Sequence, residues 1–147
     1  MIAPPEIPKA VVSVGAFSIV VFSAEARSNS VLLGFYEKCS IMDEMPLAYC
    51  VIELVFDEDG HGVDFIFRYC NKEMAVVEGV PVEEMLNRSF YEVFRNGDRK
   101  WLVSYADVAL NGTKHTLKDF SPEIGKDLTI YCYQPEPSFC ACVLLPE

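Results

Sequence analysis

The chain has 147 residues, of which 51% are hydrophobic, and a formal net charge of −10 at pH 7. A chain of this length can bury one ordinary core and is short for two full domains. The acidic balance repels phosphate backbones, and no stripe of Lys or Arg is present to release counterions, so nucleic acid is excluded as an expected direct partner.

The first 40 residues contain an apolar stretch at 10–24 (AVVSVGAFSIVVFSA). Its fifteen residues fall short of the ~20 that a membrane-spanning helix needs, so we expect no firm membrane segment. The small-x-small triplet at 24–26 has the form of a signal-peptide cleavage site, but the region before it lacks a basic cluster. A packed element, a membrane or export signal, and disorder all stay open. We interpret residues 1–40 as an extension whose apolar side chains are candidates for homodimer contacts: Val11, Val14, Phe17, Val20 and Val21.

Two strands joined by an acidic turn are predicted next. Residues 47–56 (LAYCVIELVF) are rich in strand formers and lead into a polar, glycine-containing cluster at 57–60. Residues 63–69 (VDFIFRY) alternate in polarity, which predicts a half-buried antiparallel strand. The alternation places four side chains on one face: Val63, Phe65, Phe67 and Tyr69.

Short helices are predicted after this hairpin. Asn71 is a good N-cap, because its side chain can accept from the first free N–H groups of a helix over 72–77. Gly79 ends that helix. Pro81 suits the first turn of a second helix, and residues 89–94 form a further short helix or turn.

A longer helix and three more strands complete the chain. The helix is predicted over 99–110 from its apolar spacing, with Asp98 as its cap. Strands are predicted over 113–119, 127–133 and 138–145. Two strands, short helices, a longer helix and three strands are typical of an α+β fold with a mainly antiparallel sheet.

The sequence contains six cysteines: Cys39, Cys50, Cys70, Cys132, Cys140 and Cys142. Their spacing matches no zinc pattern, and His61 and His115 are far apart, so no metal site is expected. Cys140 and Cys142 point to the same face of a strand, which leaves a metal or redox role open. The simpler interpretation is buried, reduced thiols in a cytoplasmic protein.

The stretch 63–94 (VDFIFRYCNKEMAVVEGVPVEEMLNRSFYEVF) resembles the early motif of the PAS domain family. Its strand ends in a Tyr-x-Asn triplet at 69–71, followed by a helix with a glycine, Gly79, and an acidic helix over 82–86. The preceding MDEMPLAYCVIEL resembles the first strand of PAS modules attached to bacterial diguanylate cyclases and histidine kinases. The likeness covers residues 41–147 and implies a five-stranded antiparallel sheet with short helices and one longer helix on one face.

The resemblance implies a bacterial, cytoplasmic sensory module that binds a small molecule between sheet and helices. It would relay its state through a homodimer to an effector such as a diguanylate cyclase or a histidine kinase. The alternative is a ligand-free dimerisation or scaffold domain, because ten Phe and seven Tyr can fill a small cavity. Asn71 is expected to be a structural cap. The pocket-facing candidates, each of them first a core residue, are Phe65, Phe67, Met74, Met85, Phe90, Trp101, Tyr105, Tyr131 and Tyr133.

Haem and flavin are not expected. Flavin photoreceptors of the family carry an Asn-Cys-Arg motif, and the comparable residues 87–89 (NRS) contain no cysteine. Haem-binding members use a histidine on the longest helix, and residues 99–110 contain none. Catalysis is not expected either, because no nucleophile, base and orienting group are recognisable together. An unidentified small metabolite is the remaining candidate, and the nearest polar side chains to meet it are Arg68, Tyr105 and Lys118.

Overall fold

The computed structural model describes residues 39–147. The interpretation of residues 1–40 as an extension therefore falls almost wholly outside the described residues. So do its homodimer candidates, Val11, Val14, Phe17, Val20 and Val21. Among the helices of the described part, none is long and apolar enough to cross a membrane.

A five-stranded antiparallel sheet is the framework. Its strands are β1 (Ala48–Phe56), β2 (Gly62–Cys70), β3 (His115–Ser121), β4 (Lys126–Tyr133) and β5 (Phe139–Pro146). Their spatial order is β2-β1-β5-β4-β3, and every neighbouring pair is antiparallel. The first strand and the last strand therefore meet at the centre of the sheet and join the β1–β2 hairpin to the β3–β4–β5 meander.

The helices lie between β2 and β3 in the chain and cover one face of the sheet. They are α1 (Lys72–Glu78), α2 (Val82–Met85), α3 (Phe90–Val93) and α4 (Lys100–Asn111), and a 3-10 turn at Ser40–Met42 precedes the sheet. Their buried side chains and those of the sheet form one core cluster. The predicted α+β fold, a five-stranded antiparallel sheet with short helices and one longer helix on one face, is confirmed.

Local side-chain chemistry starts the helices. Ser89 and Glu92 form a capping box at α3, in which each side chain accepts from the other residue's backbone N–H. Asp98, the predicted cap of α4, lies one residue before the N-cap, Arg99. It still satisfies a helix donor, because its carboxylate accepts from the backbone N–H of Lys100 at 2.9 Å.

A β-bulge interrupts the alternation of β2. Ile52 pairs with Phe67 and Val51 pairs with Tyr69, so one residue of β1 corresponds to two residues of β2 at this point. The extra residue is Arg68. Since side chains alternate between faces, one inserted residue moves every following side chain to the opposite face.

Tyr69 consequently lies on the outer face of the sheet, away from the helices. Its hydroxyl donates to the carboxylate of Asp43, and its ring packs against Tyr49 at 6.1 Å between centroids. Phe65 belongs to the core cluster, whereas Tyr49 and Tyr69 do not. The expectation that Val63, Phe65, Phe67 and Tyr69 share one buried face is therefore corrected at Tyr69. Val63, near the start of the strand, is 43% exposed.

Helix α4 packs closely over the start of β2. A Cβ atom added at Gly62 would lie 2.9 Å from the Cβ of Ala106, which is closer than a carbon–carbon contact allows. Val108 and Leu102 on α4 are 0% and 1% exposed. Burying one such side chain contributes about 1.5–3 kcal/mol, so this helix fixes one wall of the space beneath it.

Candidate ligand cavity

A cavity lies between the helix-covered face of the sheet and the helices α1, α3 and α4. The centre of a water-sized molecule can move through about 40 Å³ of it, which is room for roughly two or three water molecules. Its wall on the sheet side consists of inward-facing residues of the strands: Cys50, Ile52, Phe65, Phe67, Leu128, Ile130, Cys142 and Leu144.

Six of the nine predicted pocket residues line this cavity: Phe65, Phe67, Met74, Phe90, Trp101 and Tyr105. Met85 is 0% exposed but packs in the core away from the cavity. Tyr131 and Tyr133 are 47% and 38% exposed and lie on the outer face. The strand alternation is the reason, since their neighbours Leu128 and Ile130 point inward. The expected inward orientation of the two tyrosines is thus corrected.

Aromatic rings form a continuous wall. Phe65 stacks on Phe90 with 4.7 Å between ring centroids, and it meets the rings of Phe67 and Tyr105 edge-on at 5.3 and 5.6 Å. Trp101 stacks on Tyr105 at 6.4 Å. Each such pair stabilises the fold by about 0.5–1.5 kcal/mol in addition to the stabilisation from buried apolar area. These rings therefore hold the wall in one arrangement.

Three polar residues of the cavity were not among the sequence-based candidates: Glu78, Ser121 and Glu123. A signal for Glu78 existed, because it follows the inward-facing Met74 by four residues and so lies on the same helix face. Ser121 and Glu123 carried no local signal. They reach the cavity only because the β3–β4 turn folds against the start of α4.

Glu123 fastens that turn to α4. Its carboxylate accepts from the indole N–H of Trp101, at 3.2 Å to each oxygen. It also accepts from the hydroxyl of Ser121 at 2.6 Å and the backbone N–H of Asp98 at 2.5 Å. These donors occupy both carboxylate oxygens, so Glu123 acts chiefly as a positioning group.

The carboxyl group of Glu78, at the cavity, has a raised pKa. Burial, followed by the negative charge of Glu123, raises the pKa of Glu78 from 4.5 to about 7, and the ammonium of Lys126 opposes this rise. Lys126 itself donates to the backbone carbonyl of Val77 at 2.9 Å. A half-buried carboxyl group with this pKa changes its charge near neutral pH.

The other polar side chains proposed from the sequence have separate positions. Tyr105 lines the cavity, and burial raises the pKa of its hydroxyl. Arg68 points to the outer face, where it donates to Glu53 at 2.9 Å and to Asn87 at 3.0 Å. Lys118 is exposed on β3. Among these three, Tyr105 alone lies at the cavity.

The cavity does not fit haem or flavin. Neither His61 nor His115 lines it, and the Nε2 atom of His115 lies 2.7 Å from the carboxylate of Asp107. A volume of about 40 Å³ is also far below the 300–1,000 Å³ typical of drug-sized and cofactor sites. The cavity therefore offers no histidine to haem iron, and it has no room for either group.

An exposed acidic turn contains the grouping Asp57, Asp59 and His61. The carboxylate of Asp57 accepts from the backbone N–H groups of His61 and Asp59 at 2.8 and 2.9 Å. The His61 N–H is the main cause of the lowered pKa of Asp57. These bonds are those of a turn between two strands, and they require no ion.

The sheet order β2-β1-β5-β4-β3, the helices between β2 and β3 and the cavity beneath them define an α+β fold in which helices cover one face of an antiparallel sheet. No protein-family model matches the sequence, and no curated protein matches it. Among solved structures, the chain is similar to the PAS domain of an HTR-like protein from Haloarcula marismortui, with 11% identity and a TM-score of 0.49 over 84% of this chain and 99% of that chain. It is also similar to the photoactive yellow protein domain of the sensor histidine kinase Ppr from Rhodospirillum centenum, with 13% identity and a TM-score of 0.49 over 76% and 97% of the two chains.

Proposed function

We propose that this domain is a sensory module of signal transduction, which binds a small molecule in the cavity and does not catalyse a reaction. The observation that carries the proposal is the position of Glu78. A carboxyl group at an apolar cavity is costly to hold in the folded state unless it is paired or hydrogen-bonded. A core that merely filled itself would be served as well by a methionine or leucine at this position.

The walls define the chemistry of the ligand. Aromatic and aliphatic side chains dominate them, so most of the ligand surface should be apolar. The oxygens of Glu123 are already occupied by protein donors. Glu78 is therefore the acceptor offered to a guest, and a matching ligand is a small amine or alcohol with only a few heavy atoms.

One observation favours the alternative, a ligand-free scaffold with a self-filled core. The cavity is small, and the ring of Phe65 already packs against the rings of Phe90 and Tyr105. The sensor predicts that a bound small molecule adds to the mass of the native protein, and the scaffold predicts no added mass. A single mass measurement therefore separates the two.

The second part of the proposal concerns how the domain transmits occupancy of the cavity to an effector. Glu78 is the last residue of α1, and Asn71 at the other end of this helix is bonded to β1. Occupancy of the cavity would thus bias a helix that is connected to the centre of the sheet. The sequence resemblance suggests relay through a homodimer to an effector such as a diguanylate cyclase or a histidine kinase.

Native mass spectrometry with a denatured control tests the binding role. We expect an added mass on the native protein that is lost on denaturation, and a weaker or absent addition in Glu78→Gln. The matched control is Glu83→Gln, the same chemical change on the exposed surface of α2, which should keep the mass. A bare mass in all three proteins, with no rise of melting temperature on adding small amines or alcohols, would support the self-filled scaffold instead.

A further inference from the structure

The helix-covered face of the sheet carries a row of cysteines in register. Cys70 on β2 pairs with Cys50 on β1, and Cys50 pairs with Cys142 on β5. Cys142 pairs with Cys132 on β4, and Cys132 pairs with His115 on β3. The cysteines of the row lie on four strands, and His115 continues the row onto the fifth.

Three of the thiols form a compact cluster. The Sγ atoms of Cys132, Cys140 and Cys142 all lie within 4.8 Å of one another, and those of Cys140 and Cys142 are 3.8 Å apart. The three residues are 3%, 0% and 1% exposed, and none is in a disulfide. Positions i and i+2 of β5 supply two of the thiols on one face, and the neighbouring strand supplies the third.

These separations are close to those of sulfurs that share one metal ion. With a Zn–S bond of about 2.3 Å, two sulfurs on the same ion lie about 3.8 Å apart at the tetrahedral angle and about 4.0 Å apart at 120°. Cys140 and Cys142 are already at such a distance. Cys132 needs a movement of no more than about 1 Å, which a χ1 adjustment on either strand supplies.

We propose that Cys132, Cys140 and Cys142 form a binding site for a thiophilic d10 metal ion, Zn²⁺ or Cu⁺. Thiolates are the soft ligands that select these ions, and no carboxylate belongs to this cluster to favour a harder ion. The thiol of Cys50 contacts that of Cys142, so Cys50 is the nearest candidate for a fourth sulfur ligand. Three sulfurs suit trigonal Cu⁺, and four suit tetrahedral Zn²⁺.

A metal ion can reach the cysteine cluster from the cavity, and its coordination releases protons from the thiols. Cys50 and Cys142 line the cavity, so an ion inside it meets two of the sulfurs directly. Coordination replaces the proton of each ligating thiol and releases it to solvent, with no change of oxidation state. The positive charge of the ion then compensates thiolates for which no Lys or Arg lines the cavity.

The full chain, reduced and freed of metal by a chelator, tests the proposal. Zn²⁺ and Cu⁺ are added separately under reducing conditions, and native mass spectrometry counts bound ions. We expect one ion per chain and at least a tenfold loss of affinity in Cys140→Ala and in Cys132→Ala. Cys70→Ala is the matched control, since it removes a buried thiol of the same row outside the cluster. Circular dichroism verifies that each variant is folded.

A spectroscopic measurement on the unaltered protein keeps the test independent of variant folding. Co²⁺, added in place of Zn²⁺, should give the intense near-ultraviolet charge-transfer band of cobalt–thiolate bonds, with an intensity matching three or four thiolates. The proposal is overturned if the alanine variants bind metal as tightly as the parent, or if the protein shows neither the cobalt band nor a bound Cu⁺ ion. It is also overturned if the cluster takes up no ion and instead loses two hydrogens to a Cys132–Cys142 disulfide under mild oxidation.

Discussion

The side-chain oxygen of Asn71 accepts the backbone N–H of Tyr49 at 3.0 Å. The same oxygen accepts the N–H of Met74 at 3.0 Å and so caps α1. The amide nitrogen donates to the carbonyls of Met42 and Leu47 at 3.0 and 2.8 Å. One residue, 1% exposed, therefore links α1, the start of β1 and the 3-10 turn before the sheet.

Replacing Asn71 should lower stability far more than the loss of an ordinary cap. Asn71→Ala leaves two N–H groups and two carbonyls without this partner, and we expect the free energy of unfolding to fall by about 3 kcal/mol or more. Urea unfolding followed by circular dichroism measures it. Asn71→Asp keeps the accepting oxygen but turns a charged oxygen toward two carbonyls, so its stability should recover at low pH. A loss below about 1 kcal/mol in Asn71→Ala would contradict this assignment.

Glu78 should make stability depend on pH. Its pKa is about 7 in the folded protein against an ordinary 4.5, so the folded state holds the proton more tightly than the unfolded state. Stability from this group is therefore full below pH 4.5 and is lost as pH rises to 7. Glu78→Gln should be more stable than the parent at pH 8, on the order of 1–2 kcal/mol after allowance for solvent screening.

Urea unfolding of both proteins at pH 4 and pH 8 measures this difference. The two should converge at the lower pH, where the carboxyl group is protonated in both states. Glu83→Gln, on exposed α2, provides the control and should follow the parent at both pH values. Equal stability differences at pH 4 and pH 8 for Glu78→Gln would show that its carboxyl group titrates normally.

Gly97→Ala should disturb the aromatic wall. A Cβ at Gly97 would lie 2.5 Å from ring atoms of Phe90, and that ring has no free direction because it stacks on Phe65. We expect a loss of about 1–3 kcal/mol in the free energy of unfolding. Adding Phe90→Leu in the Gly97→Ala background removes the clashing ring atoms, so it should cost less than Phe90→Leu costs alone. Strictly additive losses would contradict a direct contact.

The apolar N-terminal stretch should determine oligomeric state. If its side chains form the homodimer contact, deletion of residues 1–27 converts a dimer into a monomer, because the removed surface is the apolar part of the interface. The double variant with Val14→Asp and Phe17→Asp should do the same by placing charges there. Multi-angle light scattering after size-exclusion chromatography measures the mass. A dimer that survives both changes places the contact elsewhere.

Local chemistry made much of the fold predictable. The strand predicted over 47–56 is observed as Ala48–Phe56, and the helix predicted over 72–77 as Lys72–Glu78. Both are specified by neighbouring residues, through β-branched and aromatic enrichment in one and through Asn71 and Gly79 in the other. Six of the sixteen cavity-lining residues followed from the same patterns, because inward-facing apolar positions recur with the period of each element.

What the sequence specified, then, was the kind and order of elements, since caps, turns and hydrophobic periods act over a few residues. The tertiary structure alone decided the faces and the neighbours. The bulge at Arg68 turned Tyr69 outward, the β3–β4 turn brought Glu123 to α4, and strand register aligned Cys50 with Cys142. Register depends on how distant strands pair, and a shift of one residue exchanges inside for outside without altering any local pattern.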